Sequence, residues 1–322
     1  MENNYYSPVQ ILENNIKAGI NKANMGLLKM ILLGMFAGMF IAIGAEGSNL
    51  AAHNLTGVGV ARTLTGVIFP IGLMMLVVTG GELFTGNCML TMALADHKIK
   101  ALQMIKNWGV VYFSNMLGSI LTAACVYASG QYDYSDGALG AFTIKVAMGK
   151  ADIDISKAIF SGIFCNILVC IAVLMSSAAK DLIGKLFGAF FPILIFVISG
   201  FEHCVANMYY IPAGIIASGN SKYVDKACEL YGYTSAQISD TLTVGGFVHN
   251  LLPVTLGNII GGGIIVSLGL YAAHLVLDKK EKRKQYFRYD KKDLVVMYDY
   301  KIFFCNFNIL YVNIYLENIN IC

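Results

Sequence analysis

The stretch Thr79-Gly80-Gly81-Glu82-Leu83-Phe84-Thr85-Gly86-Asn87 lies inside an apolar run that covers about residues 64–95. A helix crosses a bilayer core in about 20 residues, so this run is too long for one ordinary crossing and is broken at its glycines. A second stretch, Ser199-Gly200-Phe201-Glu202-His203-Cys204-Val205-Ala206-Asn207, breaks another over-long run at about 186–217. Both read Ser/Thr-Gly-x-Glu-x-x-x-Gly/Ala-Asn. Further out, Asn107, Asn115 and Gly118 have the same spacing as Asn250, Asn258 and Gly261. The chain therefore repeats itself, and the apolar runs at 29–52, 64–95 and 108–129 correspond to those at 157–178, 186–217 and 243–277. Three crossings per copy is an odd number, so the second copy enters the membrane from the opposite side. Broken helices in corresponding positions of an inverted repeat are the sequence pointer to a transport site.

Composition agrees with this reading. Only 13% of the 322 residues are charged, 57% are apolar, and the mean hydropathy is +0.62. A soluble domain carries about 25% charge, so a soluble globular enzyme and a disordered chain are both excluded as descriptions. The net charge of +3 gives no basis for a nucleic-acid partner. The reading is an all-α integral membrane protein whose partner is the lipid bilayer. Cations set its orientation: Lys17, Lys22 and Lys29 precede the first span, and Lys98, Lys100 and Lys106 lie between spans two and three. Lys180 and Lys185 lie between spans four and five, and Lys279 to Arg288 follow the sixth. The other loops hold fewer cations, which predicts both termini on the cytoplasmic side of a multi-pass cell-membrane protein. The organisation is a polar lead-in at 1–28, a six-span transport domain at 29–278, and a basic tail at 279–322 whose end is atypical. The segments around Asp133 to Gly140 and 218–240 read as polar loops.

The broken stretches carry the chemistry. Backbone that leaves the helix at membrane depth must be satisfied by protein or line a watery path. Glu82 and Glu202 are read as structural, accepting hydrogen bonds from freed N–H groups or sitting at half-helix N-termini. Asn87, Asn207, Asn115 and Asn258 are read as clamps of the same kind. His203 is the one histidine inside a break, and an ionisable group within the membrane is a functional candidate. It is also the side chain suited to exchange a proton near neutral pH. Phe69, Phe84, Phe196 and Phe201 fit either a core or an apolar constriction. The eight cysteines form no CxxC pair, so neither a metal site nor a cofactor is expected.

These motifs, together with Lys106-Asn107-Trp108, Tyr112-Phe113-Ser114-Asn115 and Asn250-Leu251-Leu252-Pro253 through Gly263, resemble the formate/nitrite transporter family over about residues 10–280. The resemblance implies an aquaporin-like six-helix protomer, a homopentamer, and one substrate pore in each protomer. It implies that the central histidine is His203 and the loop threonine Thr85. Leu83 and Phe84, beside Leu73, would form the cytoplasmic constriction, and Phe69 and Phe196 the outer one. The family's vestibule lysine, sixteen residues ahead of an asparagine of span four, corresponds to Lys150 and Asn166. The cation that some members carry on the N-terminal helix has no clean counterpart, Lys17 being the candidate. The tail at 293–322 departs from the pattern, and its apolar stretch 302–316 is too short and too interrupted for a seventh span.

The expected function is passage of a small monovalent anion, formate first, accompanied by a proton. Nitrite, hydrosulfide, acetate and lactate are alternatives within the class. A charge at the bilayer centre costs at least about 2.5–3.5 kcal/mol. A simple carboxylic acid titrates near about pH 4, so protonating it at neutrality costs roughly 4 kcal/mol. Unless the path is fully hydrated, the neutral acid crosses more cheaply. In this scheme Lys150 attracts the anion, Thr85, Asn166 and His203 hold it, and the neutral species passes the apolar rings. A neutral-solute channel is disfavoured by Lys150, His203 and the lack of an Asn-Pro-Ala box. An integral-membrane enzyme is disfavoured because no nucleophile–base pair or metal-ligand cluster is present.

Overall fold

The computed structural model describes residues 4–278. Six helices are long and apolar enough to cross a membrane: Leu27–Ala52, Val58–Thr79, Ala101–Ala128, Ile155–Ala178, Leu182–Ser199 and Val244–Leu277. They are the first to sixth spans below. The two over-long runs resolve as a span followed by a half-helix, Phe84–Ala95 after the second span and Cys204–Ser218 after the fifth. The chain divides into two units, Met1–Tyr271 and Ala272–Cys322. The architecture and sites described here belong to the first. In the second, the described residues include the π-helical stretch Ala272–Leu277. Expectations about the tail at 279–322 lie outside the described residues.

Each repeat opens with a helix before its first span. Pro8–Ala23 starts at a capping box, in which the Ser7 hydroxyl accepts the Gln10 N–H and the Gln10 side chain accepts the Ser7 N–H at 2.9 Å. Its buried face is Leu12, Ile16, Gly19 and Ala23, a helical spacing, and it packs on Leu90–Ala95 of the first half-helix. The counterpart is Ala138–Ala151, where the sequence was read as polar loop. Leu139, Ala141, Ile144 and Ala147 of that helix are fully buried against Ile211, Ala217 and Tyr223. The 218–240 loop likewise contains two helices, Ser221–Tyr231 and Ser235–Thr241, capped by Asn220 and Thr234. Polar flanks concealed short helices whose apolar faces were at helical spacing. Lys222 of the first of these donates to Asp133 at 2.9 Å, an exposed pair that holds the Asp133 carboxyl below its usual range.

Within each repeat, the first and third spans cross at glycines. A Cβ on Gly38 would collide with the Asn115 backbone, and one on Gly118 with the Met35 backbone. In the second repeat, Gly257 and Gly261 meet the Ile159 and Ile163 carbonyls in the same way. In lipid, where burial against tails gains little, such close backbone approach is what holds helices together. The crossings bring the third and sixth spans against the broken loops, and so position the asparagines that act on them.

Candidate functional site

The break in each repeat is built from the same parts. The second span ends at Gly80 and the fifth at Gly200, both left-handed with φ of +75° and +72°. Glycine takes that conformation without a Cβ penalty, and both helices stop there. Three non-helical residues follow before each half-helix, the last of them, Leu83 or His203, extended. Asn115 Oδ1 accepts the N–H of Phe84 at 2.9 Å, and its Nδ2 donates to the carbonyls of Gly34 and Glu82 at 2.7 and 2.8 Å. Asn258 does the same in the other repeat, accepting from Cys204 N at 3.0 Å and donating to Gly162 and Glu202 carbonyls at 2.8 and 3.0 Å. Buried backbone groups left without partners would each cost about 1–3 kcal/mol, so these two side chains stabilise both loops.

The carboxylates do something other than the sequence reading expected. With the Phe84 and Cys204 N–H groups taken by asparagine, Glu82 and Glu202 do not cap freed backbone. Glu82 Oε2 accepts Asn87 Nδ2 at 2.7 Å, and its Oε1 pairs with Lys22 Nζ at 3.0 Å. Glu202 Oε2 accepts Asn207 Nδ2 at 2.6 Å, and its Oε1 pairs with Lys150 Nζ at 2.9 Å. Asn87 and Asn207 also donate to Asn107 and Asn250, at 2.9 and 2.7 Å. Those two in turn donate to the backbone carbonyls of Lys22 and Lys150. Asn87 and Asn207 therefore anchor carboxylates rather than clamp broken backbone.

Of the two lysines on the N-terminal helix, Lys22, and not the exposed Lys17, is the one that reaches the break. Sequence reasoning missed it, although a signal was present. Lys22 precedes its span by five residues, as Lys150 does, and sixteen residues beyond it stands Gly38, matching Asn166.

Two cavities lie on either side of these loops. The larger, 790 Å³, is lined among others by Arg62, Lys145, Lys150, Glu202 and His203. The smaller, 360 Å³, is lined by Lys22, Glu82, Leu83 and Lys185 among others. Phe69 and Phe196 line the larger cavity and meet edge to face with centroids 5.4 Å apart. Leu83 lines the smaller cavity together with Leu76 and Val77, two residues the sequence reading did not name. Leu73 and Phe84 are buried, and the Phe84 ring packs edge-on against Trp108 and Tyr112.

The two repeats meet at a buried polar contact beside the larger cavity, which His203 lines. His203 Nε2 lies 2.8 Å from Thr85 Oγ1, both residues being almost wholly buried. His203 is also the N-cap of its half-helix, with Nδ1 accepting the Ala206 N–H at 3.1 Å. That bond fixes the tautomer of the neutral ring, because Nδ1 must present its lone pair and Nε2 must carry the hydrogen. The Thr85 carbonyl is held from behind by Asn166, which donates to it at 3.1 Å and to the Asn258 carbonyl at 2.7 Å. Both Asn166 N–H groups are thus engaged by backbone, so this residue braces Thr85 rather than facing the cavities. Lys150 reaches Glu202 and also lies over the Tyr210 ring, 5.2 Å from its centroid.

Residues 9–272 match the family model described as Formate/nitrite transporter. The formate channel FocA of Escherichia coli strain K12 is 37% identical over 268 residues, covering 80% of this chain and 91% of that protein. An uncharacterized transporter, YrhG, of Bacillus subtilis strain 168 is 36% identical over 283 residues, 86% of this chain and 97% of the other. Among solved structures, a pentameric formate channel with formate bound aligns with a TM-score of 0.67 at 34% identity, over 77% of this chain and 98% of that one.

Proposed function

The chain belongs to the formate/nitrite transporter family, and from that premise we propose that it is a homopentameric channel for a small monovalent anion, formate first, carrying a proton with it. Both termini face the cytoplasm, which puts the Lys150 cavity outside and the Lys22 cavity inside. The observation that carries the reading is the Thr85–His203 contact, a buried polar centre that joins the two repeats beside the Phe69–Phe196 pair.

An anion enters the outer cavity toward Arg62, Lys145 and Lys150. The charge of Lys150 is compensated by Glu202, so Arg62 and Lys145 supply most of the uncompensated field there. At the centre, the His203 Nε2–H donates to Thr85 Oγ1, which leaves the threonine O–H free to donate to the anion. The anion takes its proton from cavity water, and the Nε2–H of His203, acting through the Thr85 hydroxyl, holds the neutral acid so formed. Nδ1 stays engaged by the half-helix throughout, so the ring keeps its Nε2 hydrogen and remains neutral. The neutral acid then passes the apolar residues at a cost of roughly 4 kcal/mol for protonation at neutrality, against more for the naked charge.

Labelled formate uptake into proteoliposomes, with and without a proton gradient, tests the proposal. Uptake that acidifies the lumen and is lost in His203→Asn supports it. Uptake of formate unaffected by the gradient and retained with the same pH profile in His203→Asn refutes the proton step. Competition with nitrite and hydrosulfide in the same vesicles ranks the substrates.

A further inference from the structure

Four buried polar groups that the transport path does not use are Glu46, its partner Tyr209, Tyr132, and Asn49 one turn along the first span from Glu46. Glu46, in the first span, is buried, and its Oε2 accepts the hydroxyl hydrogen of Tyr209. Its other oxygen, Oε1, has no hydrogen-bond partner. Neither does the amide nitrogen of Asn49, one turn further along the same helix, nor the hydroxyl of Tyr132. All three residues are at most 4% exposed. Buried polar groups are nearly always hydrogen-bonded to protein or to ordered water. A carboxyl oxygen, an amide donor and a hydroxyl gathered without protein partners are the set that internal water satisfies.

The charge balance differs from that of the other two buried acids. Glu82 and Glu202 each have a lysine within 3.0 Å, whereas Glu46 has no cation within ion-pair distance among the described residues. Burying an uncompensated carboxylate is costly, and holding a proton is the alternative that keeps the group where it is. The surroundings leave that alternative open. The second half-helix presents Tyr209 and Tyr210, and the turn after the third span presents Tyr132. Tyr127 of the third span packs edge-on against Tyr132. Helix Ala138–Ala151 contributes Lys150, which is engaged by Glu202. Arg62 of the second span reaches instead to the Ile198 carbonyl, and the remainder of that span, Ile71–Thr79, has no titratable side chain.

We infer that Glu46, Asn49, Tyr132 and Tyr209 form a proton- and water-binding site that communicates with the Lys150 cavity through Asn49 and sets the electrostatics of its mouth. Asn49 lines that cavity, so water has a route to the site. Tyr210, the ring beneath Lys150, packs against Tyr209, whose hydroxyl donates to Glu46. With the proton bound, the back of the half-helix is neutral. When the proton leaves Glu46 for cavity water, no other bond changes, and a negative charge remains that opposes approaching anions. Anion uptake therefore falls as this proton is lost. The consequence for flux rests on the anion-channel reading, while the site itself does not.

Infrared spectroscopy of the lipid-reconstituted protein tests the site. A protonated-carboxyl C=O band is expected in the wild type, absent from Glu46→Gln and displaced in Tyr209→Phe, which keeps the ring and removes the hydroxyl. No band lost in Glu46→Gln would overturn the site, whether or not the protein transports. Anion uptake then tests the consequence, since glutamine imitates the neutral acid. Glu46→Gln should match wild type at about pH 5 and exceed it at about pH 8 by about three- to tenfold, the effect of one charge acting over roughly 12–20 Å of protein-like dielectric. A ratio that stays constant with pH would overturn the influence on the mouth. Wild-type protein that carries no anion at any pH would instead refute the channel reading, leaving the band to decide the site.

Discussion

The loops 79–87 and 199–207 are nearly the same object, and their few differences lie where the pore needs them. Each has a left-handed glycine, an asparagine clamp from the last span of its repeat, and a carboxylate held by a lysine and an asparagine. The residue that opens the half-helix differs. In the first repeat Leu83 offers no side-chain cap, and in the second His203 caps through Nδ1 and turns Nε2 to Thr85. The lysines differ too. Lys22 bridges Glu82 and Asn87 Oδ1, at 3.0 and 2.7 Å, whereas Lys150 reaches only Glu202 and leaves Asn207 Oδ1 without a partner. The duplicated backbone is thus a scaffold, and the function is in its departures from symmetry.

Making the second loop like the first should have the largest effect. His203→Leu removes the polar centre and is expected to lower formate flux by about ten- to a hundredfold, the worth of a charge-assisted hydrogen bond, while gentle-detergent sizing still shows the pentamer. Leucine-substituted protein that transports normally would show that the asymmetry carries nothing. Asn115→Ala and Asn258→Ala come next. Each strips partners from an N–H and two carbonyls, so both should destabilise the fold by about 2–5 kcal/mol and to similar extents in thermal melts. Unequal losses would mean that the two clamps are not equivalent.

The lysines sharpen the comparison further. Lys150→Met leaves Glu202 facing the outer cavity without its cation and should reduce anion uptake several-fold, most at low salt because screening hides the field. The double variant Lys150→Met with Glu202→Gln should recover much of that loss, and failure to recover would locate the role in the lysine itself. The smallest effect concerns the loop N–H groups. Glu202 N–H donates to the Ser161 hydroxyl, while Glu82 N–H donates to the Leu33 carbonyl. Ser161→Ala should therefore cost the second loop about 1 kcal/mol. No side-chain substitution at Leu33 can remove the equivalent bond.

The spans and both breaks were legible because hydropathy and a duplicated nine-residue pattern are local signals. The asparagines of the third and sixth spans were legible through their matching spacing. What escaped was set by partners far along the chain. Lys22 gains its role from Glu82, and what distinguishes it from Lys17 in the sequence is the register it shares with Lys150. The purpose of Glu82 and Glu202 was misread because a lone carboxylate beside a broken helix has an obvious use, which Asn115 and Asn258 had already taken. Asn166 was placed on the substrate path by resemblance, whereas its hydrogen bonds make it a brace. The helix Ala138–Ala151 was hidden by the Asp133 and Asp136 that precede it, although Ala141, Ile144 and Met148 already marked a buried face.

The clamps have a further consequence that concerns the order of synthesis. Gly34, Glu82, Phe84 and Asn115 all lie in the first half of the chain, and Gly162, Glu202, Cys204 and Asn258 all lie in the second. Each loop can therefore lock as soon as its own three spans have been translated, with no help from the other half. The contacts Thr85–His203, Thr85–Asn166 and Phe69–Phe196 all join one half to the other. A ribosome that has finished only the first half has therefore supplied every partner of the first clamp, while the contacts that join the halves must wait for the second.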